Sequence, residues 1–137
     1  MQTMNEENVK EIIIIALYQF YKNDSYLIDT KQHEQTLCAK LAYYMQALFQ
    51  DWHVDVEYNR QGHDIKRLNG KRVRPDIIVH RRGSEGPNLV ALLCKAHWND
   101  QDRQNDIEQL KLYRNELGYQ NAFRIEFESN NFQIESC

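Results

Sequence analysis

Two apolar runs separated by a turn constrain this fold more than anything else in the chain. The first is Arg74-Pro75-Asp76-Ile77-Ile78-Val79-His80, and the second is Asn88-Leu89-Val90-Ala91-Leu92-Leu93-Cys94-Lys95. Each has the length of a strand, and the Gly-containing stretch from Arg81 to Pro87 joins them. They read as two paired strands. An Asp stands at the start of the first and a Lys near the end of the second. Side chains alternate along a strand, so Leu93 and Lys95 share one face and Cys94 points away from it. By the same count His80 shares the face of Asp76.

The flanking pattern supplies helices for such a sheet. Asn5 is suited to cap a first helix, with Glu6 and Glu7 at its positive end, running to about Tyr21. Its centre, Ile12 to Leu17, is apolar nearly all round, which predicts burial on more than one side or contact with a second copy of the chain. Asn23-Asp24-Ser25 is a turn signal, and Tyr26-Leu27-Ile28 reads as a short extended piece. A second helix starts at Asp29 or Thr30 and reaches about Gln50, with a stripe of Leu37, Leu41, Tyr44/Met45 and Leu48. Glu34 lies on that stripe, where a carboxylate is either used or simply suits the first turn.

Trp52 to Asn59 alternates Val54, Val56 and Tyr58 against Asp55, Glu57 and Asn59, as a half-buried strand does. Gln61-Gly62-His63 and Asn69-Gly70 then break the chain. A third helix runs from Asn99 or Asp100 to Leu117, with Ile107, Leu110, Arg114 and Leu117 as its stripe and Gly118 as its stop. A strand follows over Ala122 to Phe127, and a short one around Phe132 to Ile134. The order α-α-β-β-β-α-β, with an optional last strand, predicts one α/β domain over residues 1–137, a mixed sheet with helices on its faces.

Composition narrows the function classes. With 137 residues, 42% apolar and 27% charged, the chain has enough material for one core. Its longest apolar run, Ile12 to Tyr18, is too short to span a bilayer, and the acids before it do not suit a signal peptide. The expectation is a cytoplasmic protein with no membrane partner. Cys38, Cys94 and Cys137 are too few and too scattered in sequence to suggest a disulfide framework or a zinc site, so Cys38 and Cys94 read as small core residues. No Gly-rich phosphate loop and no GxSxG motif is present.

The net charge of −3 conceals an asymmetry, because Arg60 to Arg82 holds eight basic residues against Asp64 and Asp76 and so carries +6, leaving −9 elsewhere. Arg60, Lys66, Arg67, Lys71, Arg72, Arg74, Arg81 and Arg82 are therefore candidates for contact with nucleic acid, DNA being favoured, or with another polyanion. A solvated basic loop is the bland alternative. Trp98 is placed either to stack on a base or to pack at the core's rim.

Pro75-Asp76 on one strand and Lys95 on the next resemble the core of the PD-(D/E)XK nuclease superfamily, which has the restriction-endonuclease-like fold. His33-Glu34 with Leu41-Ala42, Val54 to Arg60, and Asp106 with Leu110 extend the resemblance over residues 31–127, after an N-terminal helix in residues 1–22. It implies a Mg²⁺ site ligated by Glu34, Asp76 and the acid of acid-x-Lys, with Lys95 beside the attacking water. Such a site neutralises phosphoryl charge and generates hydroxide.

The chain departs from that pattern at the acid position, which is Leu93. Three readings follow. In the first, catalysis is lost and the fold persists as a degenerate, nucleic-acid-binding pseudoenzyme. In the second, the acid has migrated to Glu108 on the third helix, with 12 residues between it and Lys95, and the domain is an active Mg²⁺-dependent endonuclease. Glu57 is a weaker substitute. In the third, the chain is an unrelated interaction or immunity-type module whose first helix serves a homodimer interface.

Overall fold

Asn5 caps the first helix as expected, its side-chain oxygen accepting the Asn8 N–H at 2.8 Å. In the computed structural model, which describes residues 4–56, 60–61, 64–65, 67–68, 71–72, 75–83, 87–99 and 103–137, that helix is α1, Glu6–Asp29. It runs past its expected end. Asp24 leaves helical geometry (φ −132°, ψ 19°), so the turn signal there produces a kink and not a stop. Tyr26 to Ile28 is consequently helical, and Ile28 is buried. The Tyr44 hydroxyl donates to the Asp24 carboxylate and holds the kink against the next helix. Val9, Ile13, Ala16, Leu17 and Phe20 form the buried stripe of α1, while Ile15 and Tyr18 are exposed. Most of the apolar centre is thus used within the chain.

The second helix, α2, is Glu34–Leu48. It starts later than expected because α1 occupies residues up to Asp29. Leu37, Cys38, Leu41, Ala42 and Met45 are its buried face.

The main sheet has five strands: β1 His53–Val56, β6 Ile77–His80, β7 Asn88–Ala96, β8 Tyr119–Phe127 and β9 Phe132–Ser136. They lie in the order β1-β6-β7-β8-β9. Neighbours are antiparallel except β7 and β8, which are parallel. Between β1 and β6, two short ribbons pair β2 (Arg60–Gln61) with β3 (Asp64–Ile65) and β4 (Arg67–Leu68) with β5 (Lys71–Arg72).

A parallel pair needs a long crossover, and the third helix, α3 (Arg103–Leu117), supplies it. The buried face of α3 is Asp106, Leu110, Tyr113 and Leu117. This corrects the expected stripe: Arg114 is exposed and donates to the Cys137 carbonyl at 2.6 Å, and the helix is turned so that Asp106 and Tyr113 face inward. Gly118 stops the helix at φ +75°, as its place in the sequence predicts.

Helices cover both faces. Leu92, Cys94, Ala96, Phe123, Ile125 and Phe127 pack with α1 and α2. On the other face Ile78, Ala91, Leu93 and Ala122 pack with α3. Central β7 is buried at every position except Lys95, and all but Asn88 and Lys95 are apolar, because both its faces are covered. No helix among the described residues is long and apolar enough to cross a membrane.

Candidate functional site

The site forms where β7 outruns β6. Their paired residues end at Ile77–Leu92, while β7 continues to Ala96 alongside β8. Beyond that point the N–H groups of Cys94 and Ala96 point to the side that β6 has vacated, because backbone donors alternate with period two. Such groups require acceptors. Two carboxylates provide them. Asp76 Oδ2 accepts the Cys94 N–H at 2.7 Å, and Glu34 Oε2 accepts the Ala96 N–H at 2.6 Å. Asn99 Nδ2 lies 2.9 Å from each Glu34 oxygen. The structure therefore brings Glu34 and Asp76 to one edge, although 41 residues lie between them in the sequence.

His33, Glu34, Gln35, Cys38, Val56 and Asp76 line a cleft of about 310 Å³ at this edge. At its wall, Cys38 Sγ, a carboxylate oxygen of Asp76 and Cys94 Sγ lie within 4.8 Å of one another. Cys38 and Cys94 are buried as small core residues would be, but they also stand beside the Asp76 carboxylate. The alternation along β7 holds, since Cys94 faces α2 and Leu93 faces α3. The Asp76 side chain, however, folds over the strand edge to reach the Cys94 N–H and arrives beside the thiol. The Cys94 thiol is pushed well above its ordinary pKa, first by its hydrogen bond with Cys38, then by burial and the negative charge of Asp76 and Glu34.

On the other face Leu93 is only 5% exposed, among Ile78, Ala91, Leu110 and Tyr113. Lys95 Nζ lies 3.7 Å from Asp106 Oδ1. Asp106 Oδ2 takes Arg124 Nε at 3.2 Å, and Arg124 Nη1 reaches Glu126 Oε1 at 3.3 Å. Both Asp106 and Arg124 are buried, so each satisfies the other's charge. Among the described residues the buried Tyr113 hydroxyl has no hydrogen-bond partner. Burial, then the charges of Asp76 and Asp106, hold its proton firmly.

Glu108 is exposed on α3, the helix that covers the face opposite α2. His80 does not line the cleft. It is buried with Nε2 at 2.7 Å from Asp55 Oδ2, and Arg82 donates to the same carboxylate through Nε at 2.9 Å and Nη2 at 2.5 Å. Burial pushes the Asp55 pKa up, but the hydrogen bonds from Arg82 and His80 outweigh it and hold the group below its ordinary value. The Arg81 guanidinium lies over Trp52, 4.8 Å from the ring centre. Trp98 packs at the rim of the core against His97. Arg60, Arg67, Lys71 and Arg72 belong to the ribbons, while Glu57, Lys66 and Arg74 lie outside the described residues.

Mg²⁺ binds oxygen ligands in near-octahedral geometry. The donors that converge here are two sulfurs and one carboxylate, Glu34 is engaged by Ala96 and Asn99, and Leu93 contributes hydrocarbon. These residues do not fit Mg²⁺. Sequence reasoning passed over Cys38 and Cys94 because their spacing shows no ligand motif; the one available signal was Cys94 lying between Leu93 and Lys95.

Compared with models of known families, with curated proteins and with solved structures, the chain gives no match in any of the three.

Proposed function

We propose that this chain is a restriction-endonuclease-like domain that has lost phosphodiesterase activity and acts as a nucleic-acid-binding module. The element order along the main sheet supports that ancestry, as do Pro75-Asp76 and Lys95 at the ends of adjacent strands. The observation that carries the loss of catalysis is the edge of β7. There Asp76 and Glu34 accept backbone N–H groups, Leu93 is buried hydrocarbon, and the Lys95 ammonium sits beside buried Asp106. Each of the four positions that the nuclease pattern uses for chemistry has a structural task. The active alternative needs the Glu108 carboxylate at the cleft, and Glu108 is exposed on α3.

The binding half of the reading rests on charge. The segment from Arg60 to Arg82 is strongly basic, and its described parts include the short ribbons β2–β3 and β4–β5, which lie in the chain between β1 and β6. Arg82 and Arg81 have work inside the fold, on Asp55 and Trp52, so the contacts with phosphate fall to Arg60, Lys66, Arg67, Lys71, Arg72 and Arg74. Lys and Arg that neutralise phosphates release counterions, which makes affinity fall steeply with salt.

The test is fluorescence anisotropy with duplex DNA, single-stranded DNA and RNA over a salt series, with a plasmid-nicking assay in Mg²⁺ and Mn²⁺. Binding is expected to weaken with salt, and Lys71→Glu/Arg72→Glu should reduce both the affinity and the salt slope. No metal-dependent nicking is expected. Nicking that disappears in Asp76→Ala would overturn the loss of catalysis. Absence of binding to all three ligands at low salt would overturn the binding role.

A further inference from the structure

We propose that Cys38, Asp76 and Cys94 form a binding site for a thiophilic divalent cation, for which Zn²⁺ is the fitting metal. The three donors come from α2, the residue before β6, and β7. Their ligand atoms already lie within 4.8 Å of one another. Tetrahedral Zn²⁺, with bonds of about 2.0–2.3 Å, sets its ligand atoms about 3.5–3.8 Å apart. Closing the group around an ion therefore asks each side chain to move by about 1 Å or less.

The chemistry of the set is specific. Two thiolates and one carboxylate favour Zn²⁺ over Mg²⁺ or Ca²⁺, which take oxygen. Asp76 is oriented by the hydrogen bond from the Cys94 N–H, the kind of outer support that fixes a ligand's direction. The site also has a way in, since Cys38 and Asp76 wall the cleft that His33 and Glu34 also line. Water entering from the cleft would supply the fourth ligand of the tetrahedron.

A metal at this place would tie three segments that meet only in the folded chain. It would clip α2 to the end of β7 and hold the chain at Pro75-Asp76 where β6 begins. The site stands independently of any binding of nucleic acid.

The full chain, kept reduced, is titrated with Co²⁺ as a spectroscopic probe and then with Zn²⁺. The expected result is a sulfur-to-cobalt charge-transfer band with the intensity of two thiolate bonds and the visible bands of a tetrahedral ion. One equivalent of Zn²⁺ should abolish both, and excess Mg²⁺ should not. Cys38→Ser and Cys94→Ser should each lose the band and weaken Zn²⁺ binding by about a hundredfold or more, since even outer partners cost tenfold or more. Cys137→Ser should leave both unchanged. If the serine variants do not fold, the wild-type spectrum decides alone. A wild type without the sulfur-to-cobalt band overturns the proposal, as does a band that survives in the double Cys38→Ser/Cys94→Ser variant.

Discussion

Leu93 decides what the end of β7 can do, and it decides it through its neighbours. Its side chain lies among Ile78, Ala91, Leu110 and Tyr113, beneath α3. A carboxylate there would lose water and gain no cation of its own, since Lys95 and Arg124 already face Asp106. We therefore predict that Leu93→Glu, which restores the acid of the nuclease pattern, lowers stability by about 3 kcal/mol or more in urea unfolding at pH 7. It should confer no Mg²⁺ binding by calorimetry. A stable variant that binds Mg²⁺ would show that the pocket remained poised for the metal. That Glu34 and Asp76 stand together was implied by the resemblance to the nuclease pattern, while position alone left Glu34 as either an inward acid or one that suits the first turn. Their backbone partners were not legible, because the N–H groups of Cys94 and Ala96 need acceptors only where β6 stops short.

At the scale of elements, the clear periodicities were read correctly and the ends were not. The stripe on α2 and the runs of β6 and β7 stand where their spacing puts them. The kink in α1 was read as a stop, because Asn23-Asp24-Ser25 locally favours a turn and only packing of Ile28 and the bond from Tyr44 carries the helix on. The face of α3 was read one residue off, because an inward Asp looks polar until its partners, Lys95 and Arg124, are known. The end of α3 is firmly set. Gly118 has φ +75°, and buried Asn88 donates to the Leu117 carbonyl at 3.0 Å. A residue with a Cβ is strained at that φ by about 1–2 kcal/mol. Gly118→Ala should lose that much stability while keeping its helix content by circular dichroism. A loss below about 0.5 kcal/mol would mean that the turn relaxes into another conformation.

For the whole molecule, the acid limb of the stability curve should report the link between β1 and β6. Asp55 on β1 accepts from His80 and Arg82 and is held below its ordinary value of 3.8. The unfolded chain binds its proton more readily than the folded one. The stabilisation is therefore complete above about pH 4 and is lost as pH falls through the lower folded value. Asp55→Asn should be less stable than the wild type at pH 7, and the gap should narrow as pH drops below 4. A gap that stays constant down to pH 2 would show that the carboxylate's charge contributes nothing to the link.

The sequence by itself determined that two apolar strands lie at the centre and that helices cover the faces of their sheet, because local sterics and burial convert spacing along the chain directly into faces. That Glu34, Asp76 and Lys95 gather near one end of those strands was implied only by the resemblance to the nuclease pattern. Only the tertiary structure decided which groups those side chains meet. Period two tells which face Cys94 takes, but not that β7 extends past β6, nor that Asp76 bends over the exposed edge to a backbone N–H. That depends on register between segments distant in sequence, and it is the reason two thiols dismissed as core residues now flank the carboxylate.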